Sequence, residues 1–230
     1  MATSDELRRK AAEAALKFVR PGMVLGLGTG STARYFLEGV ARPVAEGTDL
    51  KGVPTSLATA EAAKQLGIPL TSLEERPHLD LCVDGADEVD PKLDLIKGLG
   101  GALFREKIVA AASKKLVVVV DESKLVPRLG TKAPVPVEVH PFGWRNAAAA
   151  LETLGAKVDL RRRDGETFRT DNGNHILDAK FGPIKSPAKV AGKIAAIPGV
   201  VGHGLFLQMA DAVVIASEAG VRMLQATRRS

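Results

Sequence analysis

The sequence predicts an α/β fold: a doubly wound, mostly parallel sheet with a smaller α+β domain inserted near its C-terminal end. Short, continuously apolar segments such as residues 116–120 alternate with helical segments, which is typical of parallel strands covered by helices on both faces. After Lys124 prolines become frequent and the pattern changes. A later apolar segment, residues 212–216, is expected to rejoin the first sheet. We therefore expect a Rossmann-like α/β domain of residues 1–130 plus 208–230, and a smaller α+β domain of residues 131–207.

Apolar patterning and helix-end signals predict the elements of the first domain. Thr3 and Glu6 have the spacing of a capping box, which predicts a helix to about Val19, with Pro21-Gly22 ending it. Open α/β sheets bind ligands beyond the carboxyl ends of their strands, so the residues that follow those ends are candidates for a site. Strands are predicted at residues 23–28, 52–56, 80–84 and 116–120, and further helices from Ser31 and at 57–66 and 102–115.

The smaller domain has the element order β-α-β-β-α-β, which is the ferredoxin-like arrangement. Asp164-Gly165 is a strong hairpin dipeptide and is expected to join two of its strands. Phe142 and Trp144 are expected to anchor its core. Strands are predicted at residues 135–140, 157–163, 167–170, 175–180 and 200–207, and helices at 143–154 and 187–197.

Composition limits the class of protein. The 230 residues are 45% hydrophobic and 26% charged, as in ordinary soluble enzymes, and no apolar run approaches the roughly 20 residues that cross a bilayer. Residues 1–6 are acidic and do not form a signal peptide, so a cytoplasmic location without a membrane partner is expected. The single cysteine, Cys82, excludes an intrachain disulfide and a cysteine-based metal site, and it is expected to be buried.

A net charge of +5 could indicate that the chain binds nucleic acid. The basic residues late in the chain are interleaved with turns, and few aromatic residues lie near them to stack on bases, so no nucleic-acid partner is expected. The surplus would instead attract phosphorylated small molecules. The run Arg161-Arg162-Arg163 is interpreted as a solvated hairpin face or an intersubunit surface. The four histidines show no metal-ligand spacing.

Glycine-rich residues 26–33 lie between a predicted strand and a predicted helix. Glycines allow the backbone to approach an anion, and the free N–H groups of a helix start can bind phosphate. The segment is not a Walker A loop, because Gly-Lys-Ser/Thr is absent, and Ser31 stands where a dinucleotide fingerprint has its third glycine. The alternative is a tight turn with a Ser or Thr N-cap. The hydroxyls of Ser31 and Thr32 favour phosphate binding.

An acidic segment, residues 84–90, follows the predicted strand at 80–84. Gly85 permits a sharp turn after Asp84. A solvated acidic loop and a Mg²⁺ site are the alternatives to a substrate site. We expect no metal, because Lys97 would compete with a cation. The carboxylates that could act as metal ligands are those of Asp84, Asp87, Glu88, Asp90 and Asp94.

Glu106 is predicted to lie in the first turns of a helix, where it could simply interact with the helix dipole. The flexible Lys97-Gly98 segment upstream could instead bring Lys97 and Glu106 to one ligand. A carboxylate can take a proton from carbon, and a lysine can stabilise the resulting oxyanion. Lys124 follows another strand end and is interpreted as a solvated loop residue or a phosphate contact.

Together these segments closely resemble the ribose-5-phosphate isomerase family, type A. The resemblance covers nearly the whole chain. One departure is Leu99, where the family usually has glycine, and this residue is expected to stiffen its loop. The segments that carry the resemblance are Gly28-Thr29-Gly30-Ser31-Thr32-Ala33, Asp84-Gly85-Ala86-Asp87-Glu88, Lys97-Gly98-Leu99-Gly100-Gly101-Ala102, Arg105-Glu106-Lys107-Ile108, Asp121-Glu122-Ser123-Lys124 and Ile197-Pro198-Gly199-Val200-Val201.

The resemblance implies interconversion of ribose 5-phosphate and ribulose 5-phosphate in the pentose phosphate pathway, without a cofactor, by a homodimer. It implies that Glu106 moves a proton between C2 and C1 and that Lys97 and loop N–H groups stabilise a cis-enediolate. Asp84 and Asp87 would bind sugar hydroxyls and assist ring opening. The substrate site would also include Thr29, Gly30, Ser31, Thr32, Gly85, Ala86, Gly98, Leu99, Gly100 and Lys124.

Three other functions are considered. One is a related sugar-phosphate enzyme, such as an amino-sugar-phosphate deaminase. Another is a non-catalytic sugar-phosphate sensor domain of a transcriptional regulator, although the chain has no room for a helix-turn-helix before its first predicted helix. The third is a basic nucleic-acid-binding module built on the hairpin domain, which salt-sensitive binding to arbitrary duplex would support.

Overall fold

The computed structural model describes residues 2–226. Residue 1 and residues 227–230, which the expected first domain includes, lie outside the described residues. The helices are α1 Ser4–Ala15, α2 Ser31–Ala45, α3 Leu57–Gln65, α4 Leu103–Ala112, α5 Trp144–Thr153 and α6 Pro187–Ala195. The strands are β1 Val24–Leu27, β2 Lys51–Pro54, β3 Leu81–Asp84, β4 Glu88–Val89, β5 Leu95–Ile96, β6 Leu116–Asp121, β7 Val135–Val139, β8 Lys157–Leu160, β9 Arg162–Arg163, β10 Glu166–Thr167, β11 His175–Lys180, β12 Val200–His203, β13 Leu205–Phe206, β14 Ala212–Ser217 and β15 Gly220–Gln225.

The chain divides into two compact units. The first comprises Arg105–Lys124 and the described parts of Met1–Ala86 and Met209–Ser230. The second comprises Asp87–Phe104 and Leu125–Gln208. Residues 87–104 group with the second unit because β4 and β5 form a three-stranded sheet with β13. The domain boundaries expected from the sequence stay a prediction.

The first unit is built on a six-stranded sheet in the order β15-β14-β6-β3-β1-β2. Strands β14, β6, β3, β1 and β2 are parallel, and β15 is an antiparallel edge strand. Because β14 pairs directly with β6, the prediction that residues 212–216 rejoin the first sheet is confirmed. Strand β15 was not predicted.

Helices cover both faces of this sheet, as predicted. One face packs against α1 and α2, where Phe36 is fully buried. On the other face α4 lies so close that a Cβ at Gly26 would be 2.7 Å from Val109 Cγ1. Cys82 is buried, as expected. The sheet residues of the first core are Leu25, Leu27, Leu81, Val83, Val117, Val119, Ala212, Val214 and Ala216.

The predicted capping box is present at the start of α1. The hydroxyl of Thr3 accepts the N–H of Glu6, and the Glu6 carboxylate accepts the N–H of Thr3 at 2.8 Å. The α-helix ends at Ala15 and continues as a 3-10 turn, Leu16–Phe18, so the predicted end near Val19 is right only if that turn is included.

The second unit contains a four-stranded antiparallel sheet in the order β12-β7-β11-β8. With α5 and α6 it has the predicted ferredoxin-like order. Leu151 of α5 and Ile194 of α6 pack with the strand residues Val137 and Leu177. The expectation that Phe142 anchors this core is wrong, since its side chain is 98% exposed. Trp144 is partly buried against the core.

Two strand predictions in the second unit are corrected. The hairpin at Asp164-Gly165 joins only β9 and β10, and β8 pairs with β11 instead. The predicted strand at 200–207 is broken at Gly204, because β12 joins the four-stranded sheet while β13 pairs with β5. A side chain at Gly204 would collide with the carbonyl oxygen of Lys97, so glycine is required where the chain changes sheets.

Within residues 2–226, no helix has both the length and the apolar character needed to span a bilayer.

Candidate active site

Asp84 is fixed by the backbone of the glycine turn in the first unit. It ends β3 and is 1% exposed, and its Oδ1 accepts the N–H groups of Gly85 at 2.8 Å and Thr29 at 3.1 Å. A side chain at Gly28 would collide with this carboxylate. The absence of a side chain at Gly28 therefore lets the end of β3 and the turn after β1 approach each other.

The start of α2 has the features of an anion-binding site. Its N-cap is Gly30, with φ 110°, and among the described residues, 2–226, no side chain caps the helix by a hydrogen bond. The alternative of a tight turn with a Ser or Thr N-cap is therefore not observed. Ser31 is exposed and Thr32 half-buried, so their N–H groups and hydroxyls are available at the positive end of the helix dipole.

A cluster of four hydroxyl groups holds the glycine turn in place, and three of them were not predicted from the sequence. Thr29 Oγ1 lies 2.7 Å from Thr55 Oγ1, 2.9 Å from Ser56 Oγ and 3.0 Å from Thr59 Oγ1. Thr59 also donates to the carbonyl of Gly28 at 3.0 Å. Thr29 thus uses its side chain to fix the turn. The available signal was Thr55-Ser56, which form the carboxyl end of the strand predicted at residues 52–56.

Glu106 lies in the first turn of α4 and is 4% exposed. A buried carboxylate on a helix has a defined position and little access to bulk water, and both properties suit proton exchange with a bound ligand. The adjacent Lys107 is half-buried, and burial lowers the pKa of its ammonium group to about 8.

Lys124 ends a short 3-10 turn, Glu122–Lys124, at the carboxyl end of β6. Asp121 shapes this turn, because its Oδ1 accepts both the N–H of Ser123, at 2.9 Å, and the Ser123 hydroxyl. Arg8 Nε lies 3.9 Å from the other oxygen of Asp121. Lys124 is therefore a half-buried cation at the carboxyl end of β6. The side chains of Asp121, Ser123 and Arg8 stabilise the turn on which it lies.

The second unit contains the other predicted catalytic residues, Asp87 and Lys97. Lys97 is buried, its N–H donates to the Gly204 carbonyl at 2.9 Å, and its Nζ lies 5.6 Å from the centroid of the Phe206 ring. Asp87 Oδ2 accepts the N–H of Leu99 at 3.0 Å. The aspartate therefore fixes the loop that follows the lysine.

Residues 98–101 form a turn closed by the N–H of Gly101 and the carbonyl of Gly98 at 3.0 Å. Gly98 and Gly101 have φ values of 101° and 92°, which favour glycine, whereas Leu99 does not have a positive φ. The leucine therefore occupies its position without backbone strain, and its side chain is 41% exposed.

Arg161 also contacts this loop, and of its two interpretations from the sequence the solvated hairpin face is wrong. Its side chain is only 11% exposed, so it does not lie on a solvated hairpin face. Its Nη1 donates to the carbonyls of Gly98 and Leu99 at 2.8 and 3.0 Å. Arg162 and Arg163 are exposed. Strand alternation would place Arg161 and Arg163 on the same face, so it gave no signal for this difference.

Backbone amides organise the acidic segment. Within residues 2–226, no group of three or more His, Cys, Asp or Glu side chains is placed to hold a metal ion. Each carboxylate of the alternative Mg²⁺ site instead accepts at least one backbone N–H. Asp84 accepts those of Thr29 and Gly85, Asp87 that of Leu99, Glu88 those of Gly130, Lys132 and Ala133, Asp90 those of Lys92 and Asp94, and Asp94 that of Gln208.

The predicted residues thus form two structured sets. The first unit brings Thr29, Asp84 and Gly85 together through the hydrogen bonds at Asp84, and Gly30 and Ala86 are the next residues in the chain. The second unit brings Asp87 together with the loop of Lys97, Gly98, Leu99 and Gly100.

Comparison with known proteins gives a consistent result. The family model for ribose 5-phosphate isomerase A (phosphoriboisomerase A) matches residues 51–220. Ribose-5-phosphate isomerase A of Gloeobacter violaceus is 53% identical over 221 residues, with 96% of each chain covered. The protein of that name from Roseiflexus sp. RS-1 is 55% identical over 222 residues, with 95% of each covered.

A solved structure is also similar over almost all of the chain. It is a D-ribose-5-phosphate isomerase in complex with phospho-erythronic acid, with a TM-score of 0.95 and 42% identity, covering 97% of this chain and 100% of that one. Both the sequence and the fold therefore match one family over nearly their full length. The chain belongs to the ribose 5-phosphate isomerase A family and is an isomerase that interconverts ribose 5-phosphate and ribulose 5-phosphate.

Proposed function

We propose that Glu106 is the base of this isomerisation and that the reaction passes through a cis-enediolate. The carboxylate takes the proton from C2 of the open-chain aldose, the electron pair forms the C1–C2 double bond, and negative charge develops on O1. The same proton returns to C1, while the O2 hydroxyl proton moves to O1 and leaves the ketone at C2. The observation that supports this role is the burial of a carboxylate in the first turn of α4.

Stabilisation of the enediolate is assigned to Lys97 and to N–H groups of the loop that follows it. An ammonium group and oriented backbone N–H groups are the donors that oxyanions require. Asp84 and Asp87 would bind sugar hydroxyls and assist ring opening. Support for a fixed geometry comes from the hydrogen bonds that hold each carboxylate.

The phosphate is assigned to the start of α2, with Gly30, Ser31 and Thr32, and to Lys124, while Thr29 lines the substrate site and holds this turn in place. The glycine N-cap and the absence of a capping side chain support this assignment. The solved relative bound to phospho-erythronic acid, a phosphorylated sugar acid, supports the same ligand class. We expect this acid to compete with ribose 5-phosphate.

A homodimer in the cytoplasm is proposed from the family resemblance. Light scattering coupled to size-exclusion chromatography would measure the mass, and a dimer should have twice the 24.2 kDa of one chain. A mass equal to that of one chain at working concentration would contradict the dimer.

The assay that tests the mechanism follows ribulose 5-phosphate formation with and without EDTA. We expect equal rates, because the carboxylates of the acidic segment are already bound by backbone N–H groups. Rates lost in EDTA and restored by Mg²⁺ would contradict a metal-free mechanism. An amino-sugar phosphate, tested in parallel, should release no ammonia. Ammonia release would favour the deaminase alternative.

A further inference from the structure

One arginine from the hairpin region binds two consecutive backbone carbonyls of the turn formed by residues 98–101. Arg161 Nη1 donates to Gly98 O at 2.8 Å and to Leu99 O at 3.0 Å, although more than 60 residues separate it from them. Most arginines on hairpins are solvated, but this side chain is 11% exposed. Both of these hydrogen bonds are accepted by backbone carbonyls of the loop, so they determine how its peptide groups are oriented.

A trans peptide has its C=O and N–H pointing in opposite directions. When one nitrogen draws the Gly98 and Leu99 carbonyls towards it, the N–H groups of Leu99 and Gly100 are turned away from it. The N–H of Leu99 follows this rule, since it donates to Asp87 at 3.0 Å. The N–H of Gly100 belongs to the next peptide plane and also faces away from Arg161.

Arg161 is itself held firmly. Its Nε and Nη2 donate to both oxygens of Asp178, at 2.9 and 2.5 Å, in a bidentate pair. Phe168 lies against the same loop, because a side chain at Gly101 would collide with its ring, and the N–H of Phe168 donates to the carbonyl of Arg161 at 3.0 Å. The guanidinium therefore has a fixed position from which to orient the loop.

We infer that Arg161 is a positioning residue of the isomerase. By binding the Gly98 and Leu99 carbonyls, it directs the Leu99 N–H to Asp87 and presents the Gly100 N–H to the developing enediolate oxygen. This inference rests on the proposed role of the loop in stabilising the oxyanion. Its consequence is specific: loss of Arg161 should weaken transition-state stabilisation more than substrate binding.

The main test is the double variant Arg161→Met with Asp178→Leu, which removes the ion pair without leaving a buried charge. Its thermal midpoint establishes that it folds. We expect kcat to fall by about 10- to 100-fold and KM for ribose 5-phosphate to change by less than about threefold. Inhibition by inorganic phosphate should be unchanged, because the phosphate is assigned to the start of α2.

Asp178→Asn separates the ion pair of Arg161 from its hydrogen bonds to the loop carbonyls. This variant weakens the ion pair but keeps the guanidinium that binds the carbonyls, so its kcat should lie much closer to that of the wild type than to that of the double variant. Arg162→Met is the matched control, since Arg162 is exposed and its Nη1 donates to the nearby Gly165 carbonyl at 3.0 Å. Its kcat and KM should equal those of the wild type.

Three outcomes would overturn the inference. One is a double variant with kcat within about twofold of the wild type. Another is a parallel loss of kcat, substrate affinity and phosphate inhibition, which would indicate general structural damage. The third is an Asp178→Asn variant as slow as the double variant. Failure of the proposed function is distinguishable, because it would appear as absent turnover in the wild type or as normal turnover in Glu106→Gln.

Discussion

The carboxylate of Asp84 accepts a hydrogen bond from the backbone N–H of Thr29 at 3.1 Å, across 55 residues of chain. This bond joins the ends of two neighbouring parallel strands, β1 and β3. It requires glycine at position 28, since a side chain there would occupy the space of the carboxylate. The glycine turn therefore positions an aspartate as well as exposing the start of a helix.

Gly28→Ala is expected to displace Asp84 and to lower kcat by about 100-fold, with a reduced thermal midpoint. Gly28 does not have a positive φ, so the effect comes from the collision and not from backbone strain. Steady-state kinetics and thermal unfolding measure both effects. Gly192→Ala in α6 is the control, because its Cβ would enter open space, and it should stabilise the protein by about 0.5–1 kcal/mol. A fully active Gly28→Ala variant would contradict the positional role.

Glu106→Gln should retain the fold and substrate binding and lower kcat by about 10²- to 10⁴-fold, because the amide cannot accept the proton. The measurement is kcat and KM for ribose 5-phosphate, with Glu13→Gln, an exposed position on α1, as the control. Turnover near that of the control would remove Glu106 as the base.

Leu99→Gly restores the residue usual in the family and should have a small effect. Only the backbone N–H and carbonyl of Leu99 make the contacts to Asp87 and Arg161, and glycine supplies both groups. We expect kcat within about threefold of the wild type and a loss of about 0.5–1 kcal/mol in the free energy of unfolding, because glycine gains more conformational freedom on unfolding. A kcat reduced by 100-fold would show that the leucine side chain acts in the site.

The burial of Lys107 leads us to expect that the free energy of unfolding depends on pH. Burial lowers the pKa of its ammonium from an ordinary value of 10.5 to about 8, so between these values the unfolded chain holds a proton that the folded chain has released. The free energy of unfolding should therefore rise with pH across this interval, by on the order of 3 kcal/mol at most, and fall again as pH drops to 8.

Urea unfolding at pH 7.5 and pH 10 tests this prediction in the wild type, in Lys107→Met and in Lys10→Met. The wild type should gain stability relative to Lys107→Met as pH rises. Lys10 is exposed, so the difference between the wild type and Lys10→Met should not change with pH. A constant difference for Lys107→Met would refute the depressed pKa.

Local signals in the sequence determined most of the elements. The capping box at Thr3 and Glu6, the apolar strand at 116–120 and the hairpin dipeptide at 164–165 are specified by residues close together in the chain, so they could be predicted. The two-residue strands β4 and β5 and the pairing of β13 with β5 could not, because such short pairings exist only where distant segments meet. The exposure of Phe142 was missed for the same reason, since an apolar side chain does not itself reveal whether a partner surface covers it.

For the site, the sequence by itself determined which chemical groups are present and which family they resemble: Glu106, Lys97, two aspartates and two glycine-rich loops. Only the tertiary structure decided what holds them. The hydroxyls of Thr55 and Thr59 under the Thr29 turn, the Gly28 contact with Asp84, and Arg161 on the Gly98 and Leu99 carbonyls join positions 26 to 63 residues apart. The physical reason is that a hydrogen bond or a close approach depends on three-dimensional distance, which local residue patterns do not encode.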